Sequence, residues 1–337
     1  MLVRLGGLGD VLFTLPAVNA VRAACPGCHI TFLVYTQFAP LLEGFRGVDA
    51  VLALDREGYK RGNVKFIVCE TLSLLRQLRR GAFDLVVDFQ GFGETALLAW
   101  CSGAAHRWGS VYRPARRWAY TRGVRRNTRL HPIDYQLELL REAGQFEAGP
   151  PRNEFGLPAH ALHEARQFFF EHGLEPARPT LFIQPFSNAA HKDWTISGYL
   201  ETAGYWRQHG LQVLFGGGPQ EKDRLEPMRA AGFVVAAGTP LMVSAGLADL
   251  STVVLGGDTG LLHLAVALGK RVVMLMGSVE PGSCYPYGHP EWAVVPAKEQ
   301  PVSSLAIERV NAACAMAVAD AGNSTKCEVQ PAVQAPA

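Results

Sequence analysis

A loop near the carboxyl end of the chain combines residue types that bind an anion. The segment 252–277 predicts a strand, a short loop, a helix and a second strand. A helix N-terminus presents unpaired backbone N–H groups and the positive end of the helix dipole, so it can hold a phosphate or a diphosphate. This pattern indicates a nucleotide-linked substrate; the other interpretation is that Asp258 only caps the helix. The candidate residues are Asp258, Thr259, Gly260 and His263.

A second loop of this kind follows the predicted strand 180–184. Its Ser187 and Asn188 side chains can donate hydrogen bonds to phosphate oxygens. Lys192 is a point charge suited to a departing diphosphate. Taken alone, the segment favours an ordinary exposed lysine of a loop over a ligand contact.

A third loop follows the predicted strand 212–216. Gly217 and Gly218 leave room for a flat or bulky ligand, because glycine has no side chain to exclude it. Glu221 can accept hydrogen bonds from ribose hydroxyls, or it can be an acidic residue in the first turn of a helix. All three loops lie in the carboxyl-terminal half of the chain.

Near the amino terminus, a glycine-rich loop precedes Asp10 and a predicted helix over 10–24. A dinucleotide-binding loop would require a further glycine and a carboxylate at the end of the second strand, where residues 34–37 have none. The sequence therefore argues against a nicotinamide enzyme. Gly7 and Gly9 instead let another molecule approach the backbone. Asp10 is either the N-cap of the helix or a carboxylate that accepts a proton from a hydroxyl nucleophile.

The stretch 107–129 contains no acidic residue and interleaves arginine with tryptophan and tyrosine. Guanidinium groups match phosphate and carboxylate, and aromatic rings suit the headgroup layer of a lipid bilayer. Nucleic acid can use the same chemistry. The whole chain carries a net charge of only +2, which favours an anionic lipid-borne acceptor and no nucleic acid. The acceptor-binding candidates here are Arg113, Arg116, Arg117 and Arg122.

The sequence predicts no metal site and no cofactor. It has no Asp-x-Asp triplet, the usual metal ligand of nucleotide-sugar enzymes, so cationic side chains and helix ends must neutralise a leaving diphosphate. The seven cysteines have no regular spacing. Cys25 and Cys28 flank a Pro-Gly pair where a helix must turn into a strand, which favours a structural turn over a redox or metal site.

Strands that alternate with helices position these loops. The pattern occurs twice and predicts an α/β protein of two doubly wound parallel-sheet domains that face a central cleft, with ligands at the carboxyl ends of the strands. The expected divisions are residues 1–147, a linker and helix over 148–178, a second domain over 179–320 and a disordered tail over 321–337. No uncharged apolar run reaches about 18–20 residues, and Asp10 and Arg22 argue against an export signal, so we expect a cytoplasmic chain.

Four of these segments, 5–16, 187–194, 215–221 and 257–269, resemble glycosyltransferase family 9 in order and spacing. The resemblance extends over roughly residues 1–315 and implies a GT-B architecture with the acceptor held by the first domain and the donor by the second. It implies inverting transfer of a heptose from ADP-L-glycero-β-D-manno-heptose to a hydroxyl of the lipopolysaccharide inner core. The partners would be this donor and an anionic lipid-linked glycan, with peripheral contact at the inner face of the inner membrane.

The resemblance also implies residue roles. Asp10 is similar to the catalytic base, and Lys192 is similar to the diphosphate contact. Ser187 and Asn188 would lie beside the phosphates, Glu221 would contact ribose or adenine, and residues 258–260 would form the loop that receives the diphosphate. Two other classes remain open: a nucleotide-sugar epimerase of related fold, and a non-catalytic nucleotide- or nucleic-acid-binding module.

Overall fold

The computed structural model describes residues 1–144 and 150–327. They divide into two compact units. The first unit comprises 1–144, 150–158 and the short segment 280–284, and the second comprises 159–279 together with the described chain from 285 onward.

The first unit is built on a six-stranded parallel sheet. Its strands are β1 (Leu2–Val3), β2 (Thr31–Tyr35), β3 (Ala50–Leu54), β4 (Leu85–Asp88), β5 (His106–Val111) and β6 (Arg122–Arg125). They lie in the order β3-β2-β1-β4-β5-β6, and Leu2 pairs with Phe32 on one side and with Val87 on the other. This is the order of a doubly wound sheet, in which the chain reverses direction across the sheet between β1 and β4.

Six helices cover this sheet: α1 (Leu8–Leu12), α2 (Leu15–Ala24), α3 (Arg56–Arg61), α4 (Val64–Arg80), α5 (Gly93–Cys101) and α6 (Pro132–Gly144). The single helix that the sequence predicts over 10–24 is broken into α1 and α2. Pro16 lacks a backbone N–H and cannot continue the hydrogen-bond ladder of α1. Where α1 ends, the Thr14 backbone N–H and hydroxyl both donate to the Val11 carbonyl, at 3.0 and 2.6 Å.

The second unit repeats the topology of the first. Its strands are β7 (Thr180–Gln184), β8 (Gln212–Gly217), β9 (Val234–Ala237), β10 (Val253–Gly257), β11 (Arg271–Leu275) and β12 (Ala293–Val294). They lie in the parallel order β12-β11-β10-β7-β8-β9, so the reversal falls between β7 and β10. The central strands are buried on both faces, as helices on both sides of a parallel sheet require.

The helices of the second unit are α7 (Ala159–Glu171), α8 (Ile196–Gln208), α9 (Glu226–Ala230), α10 (Leu241–Leu250), α11 (Gly260–Ala267) and α12 (Ile307–Cys327). Helix α7, which the sequence analysis assigned to a linker, packs closely against α10: a Cβ at Gly246 would lie 2.7 Å from the Ala165 Cβ. Helix α12 continues through part of the predicted tail, and residues 328–337 of that tail lie outside the described residues.

Both units therefore contain a doubly wound parallel sheet, which confirms the predicted fold class. In such sheets, ligands bind beyond the carboxyl ends of the strands at the point where the strand order reverses. In the first unit this point is the ends of β1 and β4, followed by residues 4–10 and 89–91. In the second unit it is the ends of β7 and β10, followed by residues 185–194 and 258–259.

Candidate active site

Asp10 lies in the loop that follows β1. Gly7 is the N-cap of α1, and Asp10 is the third residue of the helix, where its Oδ2 accepts a hydrogen bond from the Gly7 N–H at 3.0 Å. Asp10 is therefore a helix-capping acid, although not at the N-cap position that the sequence suggested. Its side chain folds back over Gly6, where a Cβ would lie 2.5 Å from the Asp10 Cβ, so only glycine leaves this space free. The Asp10 side chain is still 45% exposed and can be reached by a substrate.

The other oxygen of Asp10 is bound by a residue that the sequence analysis did not identify. Arg4, buried at the end of β1, donates from Nη2 to Asp10 Oδ1 at 2.6 Å and from Nη1 to the Phe89 carbonyl at 2.9 Å. Arg126 also donates to the Phe89 carbonyl, at 3.1 Å, and Arg116 donates to the Gly91 carbonyl at 2.9 Å. Three guanidinium groups thus surround the loop after β4, and one of them holds Asp10.

A buried carboxylate fixes the shape of that loop. Asp88 accepts hydrogen bonds from the backbone N–H groups of Gln90 and Gly91, at 2.9 and 3.0 Å, and from the Tyr120 hydroxyl at 2.6 Å. Complete burial raises the pKa of Asp88, whereas these hydrogen bonds act in the opposite direction. Gln90 in turn accepts the Leu5 N–H at 2.7 Å, which ties the loops after β1 and β4 together.

In the second unit, the loops after β7 and β10 meet at an ion pair. Lys192 Nζ lies 2.8 Å from Asp258 Oδ2, and His263 Nε2 lies 3.0 Å from Asp258 Oδ1. The N-cap of α11 is Thr259, whose hydroxyl accepts the Leu262 N–H at 3.4 Å. The alternative that Asp258 only caps the helix is therefore wrong. Asp258 connects the lysine to the first turn of α11.

The pKa of Asp258 reflects this environment. Burial raises the pKa of this carboxyl, but the hydrogen bonds and charges of His263 and Lys192 outweigh burial and lower the pKa to about 2. The native state therefore favours the ionised carboxylate more than the unfolded chain does. This contribution to stability is complete above the ordinary pKa of 3.8 and is lost as the pH falls through about 2.

We predict from this shift that Asp258→Asn lowers the melting temperature at pH 6, because Lys192 loses its counter-charge. The difference from the unchanged protein should shrink as the pH falls from about 4 to about 2, where Asp258 becomes protonated in both states. Thermal melting over this range measures the effect. Asp320→Asn, which removes an exposed pair with Arg271, is the control and should give a smaller difference. If the difference in melting temperature between Asp258→Asn and the unchanged protein stayed constant down to pH 2, it would contradict the lowered pKa of Asp258.

Next to Lys192, a second network shapes the loop after β7. The Ser187 hydroxyl and backbone N–H donate to Asp193 Oδ1 at 2.7 and 2.8 Å. Arg224 donates to Asp193 Oδ2 at 2.9 Å, and its guanidinium lies 3.8 Å from the centroid of the Phe186 ring. Ser187 is thus buried and bonded within the loop, whereas Asn188 is exposed. The sequence predicts no role for Asp193 or Arg224, because a pairing across 31 residues leaves no local pattern.

Glu221 connects the loop after β8 to the same end of the sheet. Its Oε2 accepts the Gly218 N–H at 2.7 Å and a hydrogen bond from Gln184, the last residue of β7, at 3.3 Å. Burial raises the pKa of Glu221, and these two hydrogen bonds oppose that effect. Gly217 is the final residue of β8. The second unit therefore brings the predicted nucleotide-binding loops together at one sheet edge.

The basic stretch is more ordered than its composition suggests, since it contains β5, β6 and a 3-10 turn at Pro114–Ala119. Its four candidate arginines lie in different environments. Arg113 is exposed, Arg116 reaches the loop after β4, and Arg117 donates to the nearby Tyr120 carbonyl at 2.9 Å. Arg122 instead donates to the Ala143 carbonyl in the last turn of α6, which separates it from the other three.

Within 1–144 and 150–327, no group of three or more His, Cys, Asp or Glu side chains is arranged to hold a metal ion. Among those same residues, no helix is both long enough and apolar enough to cross a bilayer.

The sequence is similar to a family of known proteins. Residues 71–312 match the model of glycosyltransferase family 9 (heptosyltransferase). Lipopolysaccharide heptosyltransferase 1 of Salmonella typhimurium is 25% identical over 305 residues, which cover 87% of this chain and 92% of that protein. Lipopolysaccharide heptosyltransferase 1 of Pseudomonas aeruginosa is 27% identical over 297 residues, which cover 86% of this chain and 81% of that protein.

Solved structures share the fold. A glycosyl transferase family 9 protein from Veillonella parvula aligns with a TM-score of 0.84 and 21% identity over 95% of this chain and 96% of that one. The E. coli heptosyltransferase WaaC with ADP aligns with a TM-score of 0.77 and 21% identity over 94% and 98% of the two chains. These similarities confirm the predicted GT-B class. Since the family model covers most of the chain, the protein belongs to glycosyltransferase family 9 and is an enzyme of the glycosyltransferase class.

Proposed function

We propose that this enzyme transfers a heptose from ADP-L-glycero-β-D-manno-heptose to a hydroxyl of the lipopolysaccharide inner core, with inversion and without a metal ion. The observation that carries the proposal is the Lys192–Asp258 pair at the N-terminus of α11. An ammonium group and a helix N-terminus at one sheet edge favour an anion there. The named relatives are lipopolysaccharide heptosyltransferases, which supports ADP-heptose as the donor.

The leaving group would be stabilised by the second unit. As the bond between the anomeric carbon and the diphosphate oxygen breaks, negative charge grows on ADP. Lys192 and the backbone N–H groups of Thr259 and Gly260 are donors fixed before the reaction, so they can stabilise this charge without reorganisation. Asp258 holds the Lys192 ammonium in position, and Glu221 and Asn188 are proposed to contact the nucleoside and the phosphates. These donors supply the charge that a metal ion supplies in other nucleotide-sugar enzymes.

The nucleophile would be activated by Asp10. Its carboxylate accepts the proton of the acceptor hydroxyl while the hydroxyl oxygen bonds to the anomeric carbon from the face opposite ADP. Arg4 fixes one oxygen of Asp10, and the 45% exposure of the side chain leaves it open to the acceptor. Single displacement inverts the anomeric centre, so a β-linked donor gives an α-linked product.

The acceptor would bind the first unit. Arg113, Arg116 and Arg117 lie on or beside the turn after β5, and guanidinium groups pair with the phosphates and carboxylates of an anionic glycan. The glycines at 7 and 9 would let the acceptor approach Asp10. We place this reaction at the cytoplasmic face of the inner membrane, where both substrates would be available.

A panel of nucleotide sugars tests the proposal. We expect release of ADP from ADP-heptose only when heptose-deficient lipopolysaccharide is present, and no turnover of UDP- or GDP-linked sugars. Chelation of divalent ions should leave the rate unchanged. Conversion of a nucleotide sugar to its epimer without an acceptor would show an epimerase instead. Tight, salt-sensitive binding of oligonucleotides without any turnover would show a nucleic-acid-binding module.

A further inference from the structure

A group of apolar side chains lies exposed on one surface of the first unit, formed by α5 and the turn Pro114–Ala119. Trp100 and Trp118 are 51% and 58% exposed, and their rings meet edge to face at 5.9 Å. We call this the aromatic–arginine surface, and its members are Phe92, Leu97, Trp100, Tyr112, Arg113, Arg116, Arg117 and Trp118.

The position of these side chains is not explained by packing. On α5, Thr95, Ala96 and Ala99 face the core, whereas Leu97 and Trp100 face outward. A second aromatic pair lies beside these elements: the rings of Phe92, the N-cap of α5, and Tyr112, just after β5, meet at 6.3 Å. Large exposed apolar side chains that meet in pairs on neighbouring elements indicate a site of interaction.

The charge of this surface is strongly positive. Residues 89–129 contain eight arginines and one acidic residue, Glu94, which is exposed in the first turn of α5. Arg116 lies 5.8 Å from the Phe92 ring centroid and bonds to a backbone carbonyl, so its charge is not neutralised. Among the residues that the structure describes, no carboxylate lies within salt-bridge distance of Arg113, Arg116 or Arg117.

We propose that the aromatic–arginine surface docks the enzyme on an anionic lipid bilayer. Trp100 and Trp118, each with an apolar ring and an N–H donor, enter the headgroup layer, and Arg113 and Arg117 bind phosphates at the bilayer surface, including those of the lipid-linked acceptor. This docking rests on the proposed function in one respect: it would hold the enzyme near its lipid-linked acceptor.

Charge argues against one other occupant of this surface, and the apolar side chains argue against a second. A second copy of this chain that used the same surface would bring two sets of arginines face to face, and like charges oppose such a contact. A nucleic acid would neutralise the arginines, but it offers little that would bury Leu97 together with both tryptophan edges. An anionic bilayer satisfies the charge and the apolar side chains together.

Vesicle sedimentation tests the proposal without any transfer assay. The vesicles are phosphatidylcholine with about a third phosphatidylglycerol, which gives a strongly anionic surface. We expect the unchanged protein to bind these vesicles and to bind vesicles of pure phosphatidylcholine at least tenfold more weakly. The double variant Trp100→Ala/Trp118→Ala should lose at least tenfold in affinity for the anionic vesicles. Arg113→Gln/Arg117→Gln should lose about thirtyfold, in line with the contribution of two surface cations near anionic lipid. Phe170→Ala, which removes an 84% exposed aromatic residue of α7, is the matched control and should bind normally.

The outcomes separate docking from chemistry. Melting temperatures check that each variant folds, and turnover of a water-soluble core oligosaccharide should be unchanged in the tryptophan variant. Equal vesicle binding by the unchanged protein and the tryptophan variant would overturn the proposal. The proposal would also be overturned if vesicle binding were absent and the tryptophan substitutions abolished either dimer formation or oligonucleotide binding. Vesicle binding without any turnover would instead contradict the proposed function alone.

Discussion

Asp10→Asn is expected to lower kcat for heptosyl transfer by about 10²–10⁴-fold, the usual contribution of a positioned general base. The substitution keeps an oxygen that can accept the Gly7 N–H, so the cap of α1 is preserved. It removes the charge that pairs with Arg4 and the group that takes the acceptor proton. The affinity for ADP, measured by calorimetry, should change by less than about threefold, a difference close to the error of such a measurement.

A second capping acid in the first unit supplies the control. Asp55 is the N-cap of α3 and accepts the Gly58 N–H at 2.9 Å, so Asp55→Asn makes the same chemical change in a helix cap. We expect this variant to retain full activity. If Asp10→Asn lost ADP binding and folding together with transfer, Asp10 would be a structural residue. If it kept full activity, Asp10 would not be the base.

Lys192→Met is expected to lower kcat by about 10²–10³-fold, as the loss of one fixed donor to a developing charge commonly does. The loss should appear more in kcat than in the KM for ADP-heptose, because the diphosphate gains charge in the transition state. Of the two side chains described above as partners of the Asp258 carboxylate, the substitution leaves His263. Steady-state kinetics with saturating acceptor separates the two parameters.

Lys298→Met is the matched control for this variant, since Lys298 is an exposed lysine of the same unit. It should have the kinetics of the unchanged enzyme. A Lys192→Met variant with unchanged kcat would contradict the assignment of Lys192 to the leaving group. A variant that raises KM alone would make Lys192 a ground-state binding residue.

The sequence predicts the fold well where the physical signal is local. The strand Thr180–Gln184 is recovered with its exact bounds, because a short apolar run between turn residues has few other outcomes. The strands β5 and β6 and the helix α5 escape prediction. Their residues are rich in arginine, glycine and small side chains. The two strands form because β5 pairs with β4 and β6 pairs with β5, rather than from the preference of the residues themselves.

The candidate site was predictable as loops but not as contacts. Strand ends followed by glycine and helix starts identify the loops, since parallel strands must present their ends at one edge. The sequence does not indicate which partner each side chain contacts. Lys192 meets Asp258 across 66 residues, and Arg4 meets Phe89 across 85, so no local pattern records either contact. That is why Asp258 looked like a cap and Arg4 was overlooked.

The most direct test of the central claim is the structure of the product. Purified enzyme, ADP-L-glycero-β-D-manno-heptose and heptose-deficient lipopolysaccharide should give an acceptor that gains one heptose by mass spectrometry, and NMR of its anomeric centre should show an α linkage. A β-linked heptose would contradict single displacement assisted by Asp10, and an acceptor that gains no sugar while the donor remains intact would contradict the proposed transfer itself.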